Sequence, residues 1–206
     1  MEAINRYFPE LNAEQIAQFD TLLRAYPEWN ARINVISRKD IDNLEVNHIL
    51  HSLAIAKFVR FAPGTRVLDL GTGGGFPAVP LAVYYPEVQF HLVDRVGKKL
   101  RVATDVARQA GLLNITVQHG DIKEVKGQYD FVVSRAVMSL PEMVPLVRRL
   151  IARDNHNALP NGLLCLKGGD LKAELAPFGK QALVNELNDY FQEPYFETKK
   201  IIYLPL

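Results

Sequence analysis

The sequence predicts an α/β fold: a mostly parallel sheet of seven strands covered by helices on both faces, with a helical extension ahead of it. Three observations carry this. From residue 64 onward, short β-rich runs alternate with helical periodicity, the pattern of a parallel sheet joined by right-handed crossovers. A cluster of glycines directly follows the first of those runs, at 71 and 73–75. Of the 206 residues, 48% are hydrophobic and 23% charged, enough to bury one good core without disulfides or a structural metal.

Residues 1–63 read as helices. In LNAEQI, Asn12 is placed as an N-cap with Gln15 three positions on, and Leu11 and Ile16 stand where a hydrophobic staple would close. Ile16, Phe19, Leu22, Leu23 and Tyr26 follow at helical spacing as one apolar face, which Pro27 is expected to end. Trp29, Asn30 and Asn34 are read as packing and turn-bonding residues that seat this layer. A second helix is expected over IDNLEVNHILHSLAIAKFVRF, with Asp42 and Glu45 as its capping pair and Leu44, His48, Ile49, Ser52, Leu53, Ala56 and Val59 near one face. It stops before Pro63 and Gly64. These helices lack enough core of their own, so the boundary is drawn at 63/64, with the extension packed on residues 64–206.

Strand candidates follow in order: RVLDL at 66–70, QFHLV at 89–93, NITVQ at 114–118, YDFVVS at 129–134 and GLLCLK at 162–167. Helical segments separate them, as parallel pairing requires. LKAELAPFGKQALVNELNDY at 171–190 is expected to be a helix with an irregular start. The last two runs, around YFET and KKIIYLPL, are too close for a crossover and should form an antiparallel hairpin, so the sheet is mixed.

The single cysteine, Cys165, excludes an intrachain disulfide and a Cys-rich metal centre and reads as a buried strand residue. The N-terminus has acids and a proline where a signal peptide needs a basic start, and no apolar run approaches the ~18 residues of a spanning helix. A soluble cytoplasmic chain is expected. The 24 basic and 23 acidic residues nearly cancel, to +1, so total charge neither announces nor forbids a polyanionic partner. The local excess lies in RVGKKLRVATDVAR at 95–108, where Arg95, Lys98, Lys99, Arg101 and Arg108 face only Asp105.

The most informative stretch is VLDLGTGGGFPAVPLAV. A strand, Asp69, four glycines and then a helix put backbone N–H groups and a positive helix end at the sheet's carboxyl edge, where open α/β folds bind ligands. A dinucleotide fingerprint would need glycine at 76 or 78, where Phe76 and Ala78 stand, and no GK[ST] follows for a phosphate cradle. Asp94 ends the second strand and suits a ribose diol; Asp121 after the third could meet an exocyclic adenine amine, beside Ile122 to cover the ring. A Gly-rich loop and two acids on successive strand ends describe a nucleoside pocket without phosphates. S-adenosylmethionine fits best, with Asp69 favouring its charged groups and Gly71 and Gly73 in the loop.

Together these stretches resemble the bacterial glucose-inhibited division B family, the small-subunit ribosomal RNA guanine-N7 methyltransferases. The resemblance is carried by WNARINVIS at 29–37, NHILHSL at 47–53, DLGTGGGFPAVPL at 69–81, LVDRVGKK at 92–99, SRAVMSL at 134–140 and LKGG at 166–169, in one order across most of the chain. It implies a Rossmann-like class I S-adenosylmethionine-dependent methyltransferase. It also implies cofactor contacts at Gly71 and Phe76, an adenosine-side backbone contact at Ile122 and Lys123, and a cofactor-proximal Arg135. The implied acceptor is 16S rRNA in its decoding region, as free RNA, small subunit or assembly intermediate, with no membrane and no obligate protein partner. The sequence departs from the family at His51, where Asp is usual, at Arg95 for Ser and at Ala78 for Gly, and Asp121 occupies a variable position. These changes touch local contacts more than reaction class.

Arg135, after the fourth strand, could orient the donor's carboxylate, contact RNA phosphate or bind guanine O6; the competing reading is an ion pair with a neighbouring acid. Lys167 beside Gly168 and Gly169 is a similar candidate for guanine or phosphate. Arg95, Lys98, Lys99, Arg101 and Lys167 are the candidate RNA contacts, supplying salt-sensitive affinity without base specificity. His48 and His51 lack an HExxH pattern, so no metal is assigned. No NPPY-like tetrapeptide follows the fourth strand, where SRAV stands, and Cys165 lacks a Pro-Cys setting. That disfavours amino-group and cytosine-C5 acceptors. Guanine N7 needs no deprotonation, so no general base is assigned, and Arg135 and Lys167 are expected to position or electrostatically support the reactants. Two alternatives stay open: a methyltransferase acting on a protein or small molecule, and a non-catalytic ribosome-binding protein on the same fold.

Overall fold

The computed structural model describes residues 1–206. Seven strands form one sheet: β1 Arg66–Leu70, β2 Gln89–Asp94, β3 Ile115–His119, β4 Phe131–Arg135, β5 Gly162–Gly168, β6 Leu183–Glu186 and β7 Lys199–Pro205. Their order is β3-β2-β1-β4-β5-β7-β6, and β7 alone runs against its neighbours. The helices are α1 Glu2–Tyr7, α2 Ala13–Asn30, α3 His51–Phe58, α4 Ala78–Tyr84, α5 Gly97–Gln109, α6 Leu140–Val147 and α7 Lys172–Leu175. None is long and apolar enough to cross a membrane.

Alternation along each strand sends successive side chains to opposite faces and so builds two cores. Val67, Phe90, Phe131, Val133 and Leu164 face one side with α2 to α5; Leu68, Val93, Val132, Leu163 and Cys165 face the other with α6. The first core holds 41 buried residues and the second 17. Because the larger one includes Phe19, Leu22, Leu50 and Leu53, the extension is one wall of the main core. Cys165 is fully buried, and burial pushes its thiol up to about 12, which leaves it unreactive.

Several local expectations hold. Asn12 and Gln15 close a reciprocal capping box at α2. Trp29 donates from its indole to Asp105 on α5 (2.8 Å), tying the extension to the sheet layer. Asn30 orders the turn after α2, accepting the N–H groups of Val35 and Ile36 (2.9 Å each) and donating to Ile36 O (3.0 Å).

Others are corrected. Pro27 lies inside α2, which continues to Asn30, because the last turn tolerates one missing donor while Ala31 still bonds Pro27 O. Asp42 and Glu45 do not cap the second helix; Glu45 instead serves the start of α1, accepting from the Met1 ammonium (2.8 Å) and the Ile4 N–H (3.0 Å). The second helix is compound, a 3₁₀ turn at Ile41–Asn43 and a π-helical segment at Leu44–Leu50 leading into α3.

The largest error lies near the C-terminus. Pro177 and Gly179, the latter at φ 52°, break the expected helix after α7, and β6 forms within it. Leu183 and Val184, at 49% and 41% exposure, suit a sheet edge rather than a helix interface. The segment Pro194–Thr198 is a 3₁₀ turn, not a strand, because Pro194 starts it and Phe196 must turn inward to full burial. The antiparallel partner of β7 is therefore β6, together with β5.

Replacing Asn30 by Ala leaves two N–H groups and one carbonyl of the 35–36 turn without partners. The expected cost is about 1–3 kcal/mol of stability by denaturant unfolding.

Candidate functional site

β1 to β5 all point their carboxyl ends at one edge of the sheet, and the site is built there. Asp69 is fully buried at the end of β1. Its Oδ2 accepts from the Thr72 hydroxyl (2.7 Å) and from the Ala78 N–H (3.0 Å), so one carboxylate oxygen folds the glycine loop back onto the start of α4. Its Oδ1 has no partner. Desolvation raises Asp69 to about 7 despite the two hydrogen bonds. Ala78, where glycine is usual, starts α4 in helical geometry and needs only its N–H for this contact.

The glycines answer to different neighbours. Gly71 sits at φ 69°, and a Cβ there would come within 2.5 Å of Val137 in the loop after β4. Gly74 is confined by the extension: a Cβ would meet Val35 at 2.7 Å, and its carbonyl accepts from the Tyr26 hydroxyl (2.9 Å). Asp94 closes the loop from the next strand, taking the Gly73 N–H on Oδ2 (2.7 Å) and the Val96 N–H on Oδ1 (2.8 Å).

Between these loops lies a cavity of about 340 Å³, with Leu70, Val93, Val96, Ile122 and Val137 as its apolar walls and Asp94 at its side. Ile122 is buried against this cavity. Lys123 is exposed, and its N–H is already bonded to Asp121 (2.9 Å). Asp121 also receives the Arg95 guanidinium, and these bonds, that from the Lys123 N–H first, hold its carboxyl below the usual range. Arg149, unnoticed in the sequence, pins this turn by donating to Ile122 O (2.8 Å), Lys123 O (3.1 Å) and Val125 O (3.0 Å).

A second cavity, of about 550 Å³, opens on the other side of the β4 terminus, lined by His48, His51, Arg135, Lys167, Glu174 and Tyr195 among others. Ala136 lines both cavities and is held at φ 55°. That is the left-handed region, which costs a non-glycine residue about 1–3 kcal/mol and tends to occur where function fixes the backbone.

Arg135 is the central cation of the second cavity. Its guanidinium stands 4.9 Å from the centre of the Phe76 ring and donates to Asn47 O (3.3 Å) and to His48 Nδ1 (2.9 Å). No acid contacts it directly, so the ion-pair alternative is not what the structure has. Arginine only donates, so His48 Nδ1 carries the lone pair and Nε2 the proton, which goes to Asp40 Oδ2 (2.6 Å). Burial first, then the charge of Arg135, push His48 down to about 4, so it is neutral at physiological pH. The Tyr195 hydroxyl donates to Asn47 O (3.1 Å) and accepts from His51 Nδ1 (3.0 Å), leaving His51 Nε2 without a partner. Burial holds His51 well below its ordinary value.

Lys167 is largely buried. Its ammonium bonds Met138 O (2.6 Å) and Glu174 (2.6 Å), and Glu174 also accepts the Leu140 N–H (2.7 Å). It therefore ties the end of β5 to the loop after β4. Of the basic stretch on α5, Arg95 and Arg108 are paired with Asp121 and Asp105, while Lys98, Lys99 and Arg101 have no acidic partner. Asp40, Asn47 and Tyr195 were missed because their positions depend on the π-helical turn and the 3₁₀ turn, neither of which has a 3.6-residue signature.

A family model described as rRNA small subunit methyltransferase G matches residues 15–201. A protein of Bacteroides thetaiotaomicron named ribosomal RNA small subunit methyltransferase G is 54% identical over 203 residues, covering 98% of each chain. One of the same name from Porphyromonas gingivalis is 54% identical, covering 100% of this chain and 93% of that one. Among solved structures, a SAM-dependent methyltransferase from Aquifex aeolicus superposes with a TM-score of 0.57 at 14% identity, covering 83% of this chain and 100% of that chain. A precorrin-6y C5,15-methyltransferase from Geobacter metallireducens gives 0.55 at 13%, covering 83% and 90%. At such identities these two speak for the Rossmann-like fold alone.

The folded Asp69 carboxyl titrates near 7 against 3.8 for the free group, so between those values the folded chain holds a proton that the unfolded chain releases. Stability from this group is full below 3.8 and is lost as pH rises through 7. Asp69→Asn is therefore expected to be more stable than the parent above pH 7, with the gap closing toward pH 4, in denaturant titrations of the ligand-free protein. A gap that does not vary with pH would contradict this.

Proposed function

The chain belongs to the rRNA small subunit methyltransferase G family, and from that premise we propose that it methylates N7 of one guanine in the decoding region of 16S rRNA. S-adenosylmethionine is the donor, and when bound it supplies an electrophilic methyl group on a sulfonium.

The residues of the 340 Å³ cavity fit that donor. The walls are apolar as an adenine needs and each Asp94 oxygen keeps a lone pair beyond its backbone bond, while Asp69, buried behind the loop, keeps Oδ1 without a hydrogen-bond partner. Asp94 would hold the ribose hydroxyls, Ile122 would cover the base, and Asp69 would favour positive charge near the glycine loop. The larger cavity across Ala136 suits the acceptor base, which would be turned out of the RNA to reach it.

The observation that carries the N7 assignment is the protonation chemistry around Arg135. Both nitrogens of His48 are engaged, Lys167 is paired, and His51 is too weak a base at neutral pH. Neither imidazole nor the amine beside Arg135 is thus placed to remove a proton, which suits guanine N7, since it has none to lose. Arg135 would align the base by donating to its O6, while the N7 lone pair takes the methyl and the positive charge passes from the sulfonium to the guanine ring. Lys98, Lys99 and Arg101, unpaired along α5, supply a phosphate-facing charge beside the cofactor side of the edge.

Small subunits from a strain lacking the enzyme, incubated with the protein and S-adenosylmethionine, should gain one N7-methylguanine, detected by N7-specific strand cleavage and by mass spectrometry of the digested RNA. Methyl on another atom, or robust methylation of a protein or small molecule instead, would overturn the assignment. Arg135→Ala is expected to lower turnover by about 100-fold or more with the fold intact. Asp94→Ala should weaken cofactor binding about 10- to 100-fold by calorimetry.

A further inference from the structure

The surroundings of Arg135 pose a physical problem that the reaction does not answer. A guanidinium with five donors has been placed against an aromatic ring at a partly buried strand end, with no carboxylate in contact. Its two protein acceptors, Asn47 O and His48 Nδ1, both come from the π-helical segment Leu44–Leu50 of the extension. Side chains bond carbonyls of that segment: Asn47 O takes Arg135 and Tyr195, and His48 O takes the Ser52 hydroxyl (2.6 Å) beside the His51 N–H. The His48 ring also packs on Phe76 with centroids 5.4 Å apart, so ring and guanidinium share one aromatic floor.

Asp40 determines what His48 offers. Its two oxygens accept from His48 Nε2 (2.6 Å) and from the Asn47 side chain (2.6 Å), so one carboxylate fixes both residues that touch Arg135. With the proton drawn to Nε2, only a lone pair remains at Nδ1. The other tautomer would point a donor at a cation. We propose that His48 is the positioning residue for Arg135, and that Asp40 selects the tautomer in which it can serve, so that the extension sets the guanidinium between the donor and acceptor cavities.

The proposal rests on the role given above to Arg135, which Arg135→Ala tests by itself: if that variant turns over normally, the reading of the site fails, whatever His48 does. Three exchanges at His48 separate its two nitrogens. Asparagine places an oxygen where Nδ1 was and keeps the acceptor for Arg135. Glutamine reaches toward Asp40 and loses that acceptor; phenylalanine keeps the ring and loses both. Methylation of small subunits under single-turnover and steady-state conditions should show His48→Gln and His48→Phe down about 10- to 100-fold in kcat, the range for a lost hydrogen bond to a charged group. Cofactor Kd should stay within about twofold in both, and His48→Asn should recover most of kcat.

Each exchange is repeated in the Arg135→Ala background, where a residue acting through Arg135 costs nothing more. Asp40→Asn, at a half-buried loop position, gives a second variant should the ring exchanges unfold the chain; it should show a smaller kcat loss that likewise vanishes with Arg135→Ala. Activity of His48→Gln or His48→Phe within twofold of the parent, His48→Asn no better than His48→Gln, or a full-sized loss persisting without Arg135 would each overturn the proposal.

Discussion

A permanent cation at the end of the central strand pair is the constraint around which the rest of the site is arranged. Arg135 cannot shed its proton, and burial makes an uncompensated guanidinium costly, so acceptors must be brought to it. The sheet supplies none at that position. Two arrive from the extension, where a π-helical turn offers the Asn47 carbonyl and a neutral imidazole, and Phe76 after the glycine loop sets its ring under the cation. Arg135 and residues 47–48 of the extension are thus held together by these contacts.

The same dependence runs through the glycine loop. Asp69 and Asp94 hold its two ends from the strands, but Tyr26 and Val35 press on its middle from the extension. Part of the glycine content therefore answers to packing of the extension, and part to the approach of Val137. With Trp29 clamped to Asp105 on α5, residues 1–63 touch the loop, the basic helix and Arg135 at once. That makes the extension part of the active architecture, in keeping with its place in the main core.

Much of this was legible in the sequence. Strands β1 to β5, the glycine loop and the Asn12 cap carried local signals strong enough to read, because each is fixed by residues close in the chain. The positions of Asp69, Asp94, Ile122 and Arg135 followed from the rule that strand ends collect function. What could not be read depends on contacts distant in sequence. Asp40 meets His48 only through a π-turn, Tyr195 reaches Asn47 from 148 positions away in the chain, and Lys167 is neutralised by Glu174 on a helix far shorter than periodicity suggested. The failure at 171–190 has the same origin: Pro177 and Gly179 are plain helix breakers, but only the open edge of β7 explains why a strand forms beyond them. Charge patterning did not reveal that Arg95 and Asp121, read as contacts for different molecules, are partners of one another in the ligand-free chain.

The most direct test of this account is the protonation state of one imidazole. Nitrogen-detected NMR of the ¹⁵N-histidine-labelled protein should show His48 as a single neutral ring with its proton on Nε2, unchanged as pH is lowered from 7 to 5. A ring found charged in that range, or carrying its proton on Nδ1, would mean that His48 cannot accept from Arg135 and would contradict the account at its centre.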